Sequence, residues 1–222
     1  MISVERLRRV FEAPLRWLYP DRCELCKRIG NPAICQECLD ELQPLEERTQ
    51  TFHDTSAVRA IASVYEFEGR AAQAVKQLKY NRSTALAAPM AQLLFDALPS
   101  LGLPDFDHVV AVPIHASRKS LRGFNQAELL CEAFPEVVLQ HSRLARIRAT
   151  PPQVGLDRAA RLTNLIGAFE ASPDVAGKQI LLVDDVTTTG GTLLACGAAL
   201  RQRGAASVLA VTFCGEVEER AP

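Results

Sequence analysis

The stretch "ILLVDDVTTTGGTL", Ile180 to Leu193, constrains the fold more than any other part of the chain. Four apolar residues run into two adjacent acids, then threonines and glycines, then apolar residues again. An apolar run without polar alternation suits a strand buried on both faces of a parallel sheet. The residues after such a strand lie at its carboxyl end, where open α/β sheets bind ligands. Thr187 to Thr192 lead into a helix, so unsatisfied backbone N–H groups and hydroxyls gather at its N-terminus, a setting that suits phosphate. Gly190 and Gly191 let the backbone approach an oxygen without a side chain in the way. Asp184 and Asp185 would repel that phosphate unless they hold another part of the same ligand. A ribose 5-phosphate reconciles the two demands. Its vicinal hydroxyls donate to Asp184 and Asp185, and its phosphate sits among Thr187, Thr188, Thr189, Gly190, Gly191 and Thr192. The bland alternative is a strand, an acidic turn and a helix with no ligand.

The remaining pattern alternates in the same way. Strands are expected over residues 58–67, 108–114, 137–143, 179–186 and 207–214, and helices over 68–80, 84–98, 121–134 and 190–204. A long polar segment runs from Arg146 to about Thr163. This predicts an α/β fold with a largely parallel sheet. At 48% hydrophobic and 23% charged residues, the chain has enough apolar material for a sizeable core. Its net charge of −1 argues against polyanion binding by the whole surface, though not by a local patch. No run approaches the roughly 18 apolar residues of a membrane span.

The first residues, "MISVERLRRVFEAPLRWLYP", are basic and partly apolar, but Glu5, Arg8, Arg9, Glu12 and Arg16 break any signal-like core. An amphipathic helix docked on the body of the protein is expected there, with a membrane or partner contact as the alternative. The seven cysteines are therefore expected in a reducing, cytoplasmic setting without stable disulfides. Cys23, Cys26, Cys35 and Cys38 form two Cys-x-x-Cys hooks with Gly30, Asn31 and Pro32 between them. Four thiolates so spaced suit a tetrahedral structural Zn2+, ahead of a redox pair or unrelated buried thiols. Cys131, Cys196 and Cys214 lie in apolar surroundings and read as packing residues. The expected domains are 1–50, an N-terminal helix and a small zinc-ribbon-like four-cysteine module, and 57–222. The polar stretch 42–57 is expected to link them.

"LLVDDVTTTGGT" resembles the signature of type I phosphoribosyltransferases, which bind phosphoribosyl pyrophosphate. "VPIHASRKSLRGFNQAELL" (112–130), "TPPQVGLDRAARLTNLIGAF" (150–169) and "VYEFEGRAAQAVKQLKY" (64–80) resemble the ComF/GntX family. Its members join a four-cysteine module to a phosphoribosyltransferase-like domain, and the resemblance spans nearly the whole chain from Cys23. One departure is Asn81-Arg82-Ser83 after Lys79-Tyr80, where the family often has glycine.

The resemblance implies a type I phosphoribosyltransferase fold. It also implies roles for two further segments. His115, Arg118, Lys119 and Arg122 would form the pyrophosphate loop, and their cations suit a concentrated anion. Gln153, Arg158 and Arg161 would belong to a mobile loop that closes over the ligand and excludes water. A solvated basic face is the plain alternative for both. In the family chemistry a sugar cation forms as pyrophosphate departs, neutralised by Mg2+ and loop cations, with Asp184 and Asp185 as the catalytic carboxylates. His115 could shuttle a proton or simply hydrogen-bond within its loop. The acceptor is not legible, so phosphoribosyl transfer stands beside two other readings. One is single-stranded DNA handling in competence or DNA utilisation, with Arg6, Arg8, Arg9, Arg16, Arg22, Lys27 and Arg28 as a basic track. The other is a domain that only senses phosphoribosyl pyrophosphate.

Overall fold

The computed structural model describes residues 20–46, 48–51, 56–80, 83–149, 165 and 167–216. The expected N-terminal helix with Arg6, Arg8, Arg9 and Arg16, the Asn81-Arg82 step, and the expected loop residues Gln153, Arg158 and Arg161 lie outside them.

After the cysteine hooks come α1 (Gln36–Asp40), β1 (Thr49–Thr51), β2 (Ala60–Glu66), α2 (Gly69–Tyr80) and α3 (Ala87–Ala97). Next are β3 (His108–Ala111), α4 (Ala116–Arg122), α5 (Gln126–Leu130), β4 (Leu144–Arg146) and β5 (Phe169–Ala171). The chain then forms β6 (Gln179–Thr187), α6 (Gly191–Gln202) and β7 (Ser207–Gly215). The main sheet has the order β1-β2-β7-β6-β3. Its β2–β7, β7–β6 and β6–β3 pairs are parallel, and only the short edge strand β1 is antiparallel. The expected largely parallel α/β sheet is therefore present.

Strand alternation sorts the core into two layers. Ile180 and Leu182 pack with Leu193, Cys196 and Leu200 of α6 on one face. Leu181 and Val183 pack on the other with Met90 and Leu94 of α3 and Leu130 of α5. Each such aliphatic side chain, fully buried, contributes about 1.5–3 kcal/mol. Cys131, Cys196 and Cys214 are buried within these layers, as packing residues should be.

Helix α2 ties the sheet to the cysteine hooks. Gln73 Nε2 donates to Leu25 O at 3.0 Å, and Arg70 Nε lies 2.8 Å from Glu41 Oε2. Cys23, Leu25 and Ile34 share one core cluster with Ala71, Val75 and Leu78 of α2. The helix begins beside the end of β7, where Phe67 N–H donates to Gly215 O, and ends over the exit of β6.

Four expectations change. The strand expected at 137–143 is instead a pair of 3-10 turns, Glu136–Val138 and His141–Arg143, with a single bridge from Leu139 to Val109. Val137 is 82% exposed while Val138 and Leu139 are only partly buried against the core, so the run lacks the alternating buried face of a strand, and His141 Nδ1 accepts the Ala111 N–H at the edge of β3 instead. The helix expected at 121–134 is split. Gly123 takes φ +91° after α4, and Asn125 starts α5 by accepting the Ala127 N–H. The polar stretch read as a linker carries β1, and Leu144 to Arg146, where the long polar segment was expected to begin, form β4, paired antiparallel to β5.

Candidate functional site

The exits of β3 and β6 lie side by side because the strands are parallel and in register, Ala111 opposite Val183, with Val112 N–H donating to Val183 O. This brings the acid pair next to the segment expected to hold pyrophosphate. Asp184 and Asp185 are both buried, at 9% and 2% exposure. The Asp185 backbone N–H donates to Asp184 Oδ1 at 2.8 Å. Adjacent strand residues point to opposite faces, and the surroundings of the two acids differ accordingly. Lys79, near the end of α2, places its Nζ 2.9 Å from Asp185 Oδ2, an ion pair not aligned as a directed hydrogen bond. Burial, then the Asp185 charge, pushes the Asp184 carboxyl up to about 8 against the pull of Lys79. Burial alone would lower the Lys79 ammonium, yet Asp185 and then Asp184 outweigh it and the net direction is upward. The charge of Asp184 also reaches Cys196 of α6 and Arg146 of β4. Burial, then the charge of Arg118, lowers the Arg146 guanidinium, so one expected pyrophosphate residue approaches this side of the acids.

Beyond the acids, Thr187, Thr188, Thr189 and Gly190 line a cleft of about 500 Å³. Its opposite wall is β1, with Thr49, Gln50 and Thr51, and Ser63 and Glu216 also border it. Gly190 caps α6 at φ +71°, and a Cβ there would stand 3.3 Å from Ile61 Cδ1. A left-handed residue is what lets the strand turn directly into the helix. Gly191 is buried and Thr192 half-buried in the first turn of α6.

The expected pyrophosphate turn is mostly the exposed helix α4. His115 is its N-cap, with Nδ1 accepting the Ser117 N–H at 3.2 Å, so that lone pair is used in holding the backbone. Lys119 Nζ pairs with Glu128 Oε2 at 2.8 Å, and Arg122 hydrogen-bonds Gln126 and lies 6.0 Å from the Tyr80 ring centroid. Asn125 Nδ2 donates to Val112 O at 3.0 Å, which fixes the exit of β3. The structure thus brings Asp184, Asp185, the threonine turn and the start of α4 to one end of the sheet. Lys119 and Arg122 already have protein partners. Sequence reasoning missed Lys79, Arg146 and the β1 wall. The only signal for Lys79 was its place near the end of an amphipathic helix.

At the hooks, the four Sγ atoms of Cys23, Cys26, Cys35 and Cys38 lie within 4.8 Å of one another, with Cys23–Cys38 at 3.8 Å and Cys26–Cys35 at 3.7 Å. A tetrahedron with bonds of about 2.3 Å to sulfur has edges of about 3.8 Å, so the cluster fits a metal such as zinc. Lys27 takes φ +63°, which turns the first hook, and the Cys35 N–H donates to Cys23 Sγ at 3.4 Å. Burial raises the Cys23 thiol, but the backbone N–H groups of Cys26 and Cys35 outweigh it and bring it to about 6.

Known proteins are similar to this chain in sequence. A DNA utilization protein, YhgH, from Salmonella typhi is 33% identical over 205 residues, covering 87% of this chain and 85% of that protein. The competence protein ComFC of Bacillus subtilis is 30% identical over 195 residues, covering 86% and 76%. The chain belongs to the ComF family. The family model for the phosphoribosyl transferase domain matches residues 134–222 of this ComF protein, a span that includes the acid pair and the threonine turn. A solved phosphoribosyltransferase from Corynebacterium diphtheriae aligns with 64% of the ComF chain and 79% of its own at 22% identity and a TM-score of 0.37, too remote to bear on the site. No helix among the described residues is long and apolar enough to cross a membrane.

Proposed function

We propose that the β6 exit of this ComF protein binds phosphoribosyl pyrophosphate, or a related ribose 5-phosphate, with Mg2+ in the cytoplasm, and that it transfers the phosphoribosyl group. The observation that carries this reading is a buried acid pair standing just before a threonine–glycine turn that lines a cleft of about 500 Å³, with both the acids and the turn within the span matched by the transferase domain. The turn's N–H groups and the hydroxyls of Thr187, Thr188, Thr189 and Thr192 would receive the 5-phosphate. Asp184 and Asp185 would accept from the ribose hydroxyls, Asp185 by exchanging part of its ion pair with Lys79 for the sugar. The pyrophosphate would lie toward the exit of β3, near Arg118. Mg2+, when bound, neutralises the leaving pyrophosphate. The chain's own part is electrostatic: it orients the sugar, keeps the negative charge of Asp185 beside the developing sugar cation, and excludes water.

Calorimetry with phosphoribosyl pyrophosphate tests this. Micromolar binding that requires Mg2+ and is lost in Asp185→Asn is expected, and no heat at millimolar ligand would end the reading. Release of pyrophosphate in the presence of nucleobases or amines would then establish transfer.

A second reading is handling of single-stranded DNA, favoured by the names of the relatives, a DNA utilization protein and a competence protein. Arg22, Lys27 and Arg28 in the hooks are exposed, although Arg28 pairs with Glu37 and Lys27 with Glu24. Strand affinity would then fall steeply with salt. Binding that is absent, or indifferent to salt, would remove it.

A further inference from the structure

A pocket of about 290 Å³ lies at the end of the main sheet opposite the acid pair, where the sugar-phosphate reading does not reach. It is lined by Ser56, Arg59, Arg201, Ala206, Ser207 and Val208. Parallel pairing sets the start of β2 beside the start of β7, and the Arg59 N–H donates to Val208 O at 2.7 Å. The last turn of α6 contributes Arg201. Close approach of the chain entering β2 to α6 depends on Gly197, where a Cβ would stand 2.5 Å from Ala57 O. A glycine within a helix is itself destabilising, and here it admits the backbone that leads into the pocket.

The lining carries cations and hydroxyls. Arg201 Nη1 donates to Ala205 O at 2.7 Å and also to Ala206 O, so the fold holds this half-buried guanidinium in place. A guanidinium so held keeps further N–H donors in one rigid plane, a geometry that matches phosphate oxygens. Arg59 brings a second guanidinium, and Ser56 and Ser207 bring hydroxyls able to donate to the same anion. None of the described lining residues is acidic. Capping of the two carbonyls explains Arg201, but not a second guanidinium on the same small pocket. Like charges there repel, and an anion received between them turns that repulsion into attraction.

Size and position narrow the ligand. Sites that enclose a whole small molecule measure roughly 300–1,000 Å³, so about 290 Å³ suits a tetrahedral anion with its water better than a nucleotide. Arg201 is nine residues along α6 from Thr192, about 14 Å at the helical rise. The pocket and the threonine-turn cleft share no described lining residue.

We infer that this pocket is a second anion site, which receives a phosphate group between the guanidinium groups of Arg59 and Arg201 and the hydroxyls of Ser56 and Ser207. It does not depend on what the β6 exit binds. Free inorganic phosphate and a phosphate of a nucleic-acid strand present the same chemistry to it.

An amide-resolved NMR titration of the full chain tests this, because it reads the pocket and the threonine turn separately. Inorganic phosphate, added against chloride of equal ionic strength, should shift the Ala206, Ser207 and Val208 amides and saturate in the low-millimolar range. Arg59→Gln should weaken that response about tenfold, the order of one lost charge-assisted contact, and leave any response at Thr187 to Thr192 unchanged. Ser207→Ala should weaken it by a smaller factor. A short thymidine oligonucleotide identifies the source. Saturation of the same amides at micromolar strand, lost in Arg59→Gln, supports the site with a strand as its ligand, and a response to inorganic phosphate alone supports it with the free ion. No saturable shift from either probe, or a shift that Arg59→Gln leaves intact, overturns the site. A response confined to Thr187 to Thr192 also overturns it, while leaving the sugar-phosphate reading in place.

Discussion

Lys79 Nζ stands 2.9 Å from Asp185 Oδ2, joining the last turn of α2 to the strand that carries the acid pair. Their side chains are only 22% and 3% exposed, so the pair is held largely away from water. Removing one member of such a pair leaves the other charge buried and uncompensated. Lys79→Met should lower the free energy of unfolding by about 3 kcal/mol. Adding Asp185→Asn should recover part of the loss, a coupling that urea denaturation of the three variants measures. Additive losses would show that the pair contributes nothing.

Asp184 gives the fold a pH dependence of defined sign. Its carboxyl is raised from 3.8 to about 8, by burial first and by Asp185 second. Between those values the folded state holds a proton that the unfolded state has released, so stability from this group is greatest below pH 4 and falls as pH rises toward 8. Asp184→Asn removes the dependence while keeping an oxygen to accept the Asp185 N–H. Its thermal midpoint should exceed that of the wild type by about 5 °C or more at pH 8.5, with the gap closing toward pH 4. A gap that does not vary with pH would contradict the assignment.

Gly190→Ala should destabilise the turn. The residue has φ +71°, and its added carbon would press on Ile61 Cδ1 at 3.3 Å. A left-handed conformation costs an L-residue about 1–2 kcal/mol. The same change should weaken ribose 5-phosphate binding more than it lowers stability, since the turn's N–H groups shift with it. Chemical denaturation and calorimetry on one preparation compare the two effects.

The sulfur spacing at the hooks makes a quantitative claim. Metal analysis of protein purified without chelator should find one zinc per chain, and Cys38→Ser should lose it. Because Leu25 and Ile34 pack with α2, metal loss should also lower the thermal midpoint of the whole chain. A metal-free wild type with an unchanged midpoint would remove the structural role.

Much of this was legible in the residues themselves. The period-two sorting of Ile180 to Val183 and the strand-to-helix turn at Gly190 follow from local pattern, and the structure has both. The hooks were legible because a metal site needs fixed ligand spacing. The features that escaped depend on tertiary placement. Residues 137–143 are apolar enough for a strand, but β3 offers them one bridge and Val137 faces solvent. Thr49 to Thr51 are too polar to announce a strand, yet the free edge of β2 recruits them. Lys79 looked like one more basic residue on a helix until α2 crossed the sheet, and Tyr80 shows its exposure only in three dimensions. The two aspartates read as a matched pair, whereas neighbouring positions on a strand face opposite ways and have different partners.

The most direct test is a crystal structure of the chain with phosphoribosyl pyrophosphate and Mg2+. The 5-phosphate should lie in the turn from Thr187 to Thr192, the ribose hydroxyls within hydrogen-bond reach of Asp184 and Asp185, and the pyrophosphate toward the exit of β3. Ligand bound elsewhere, or an empty cleft with Lys79 still closed on Asp185 at saturating ligand, would contradict the account.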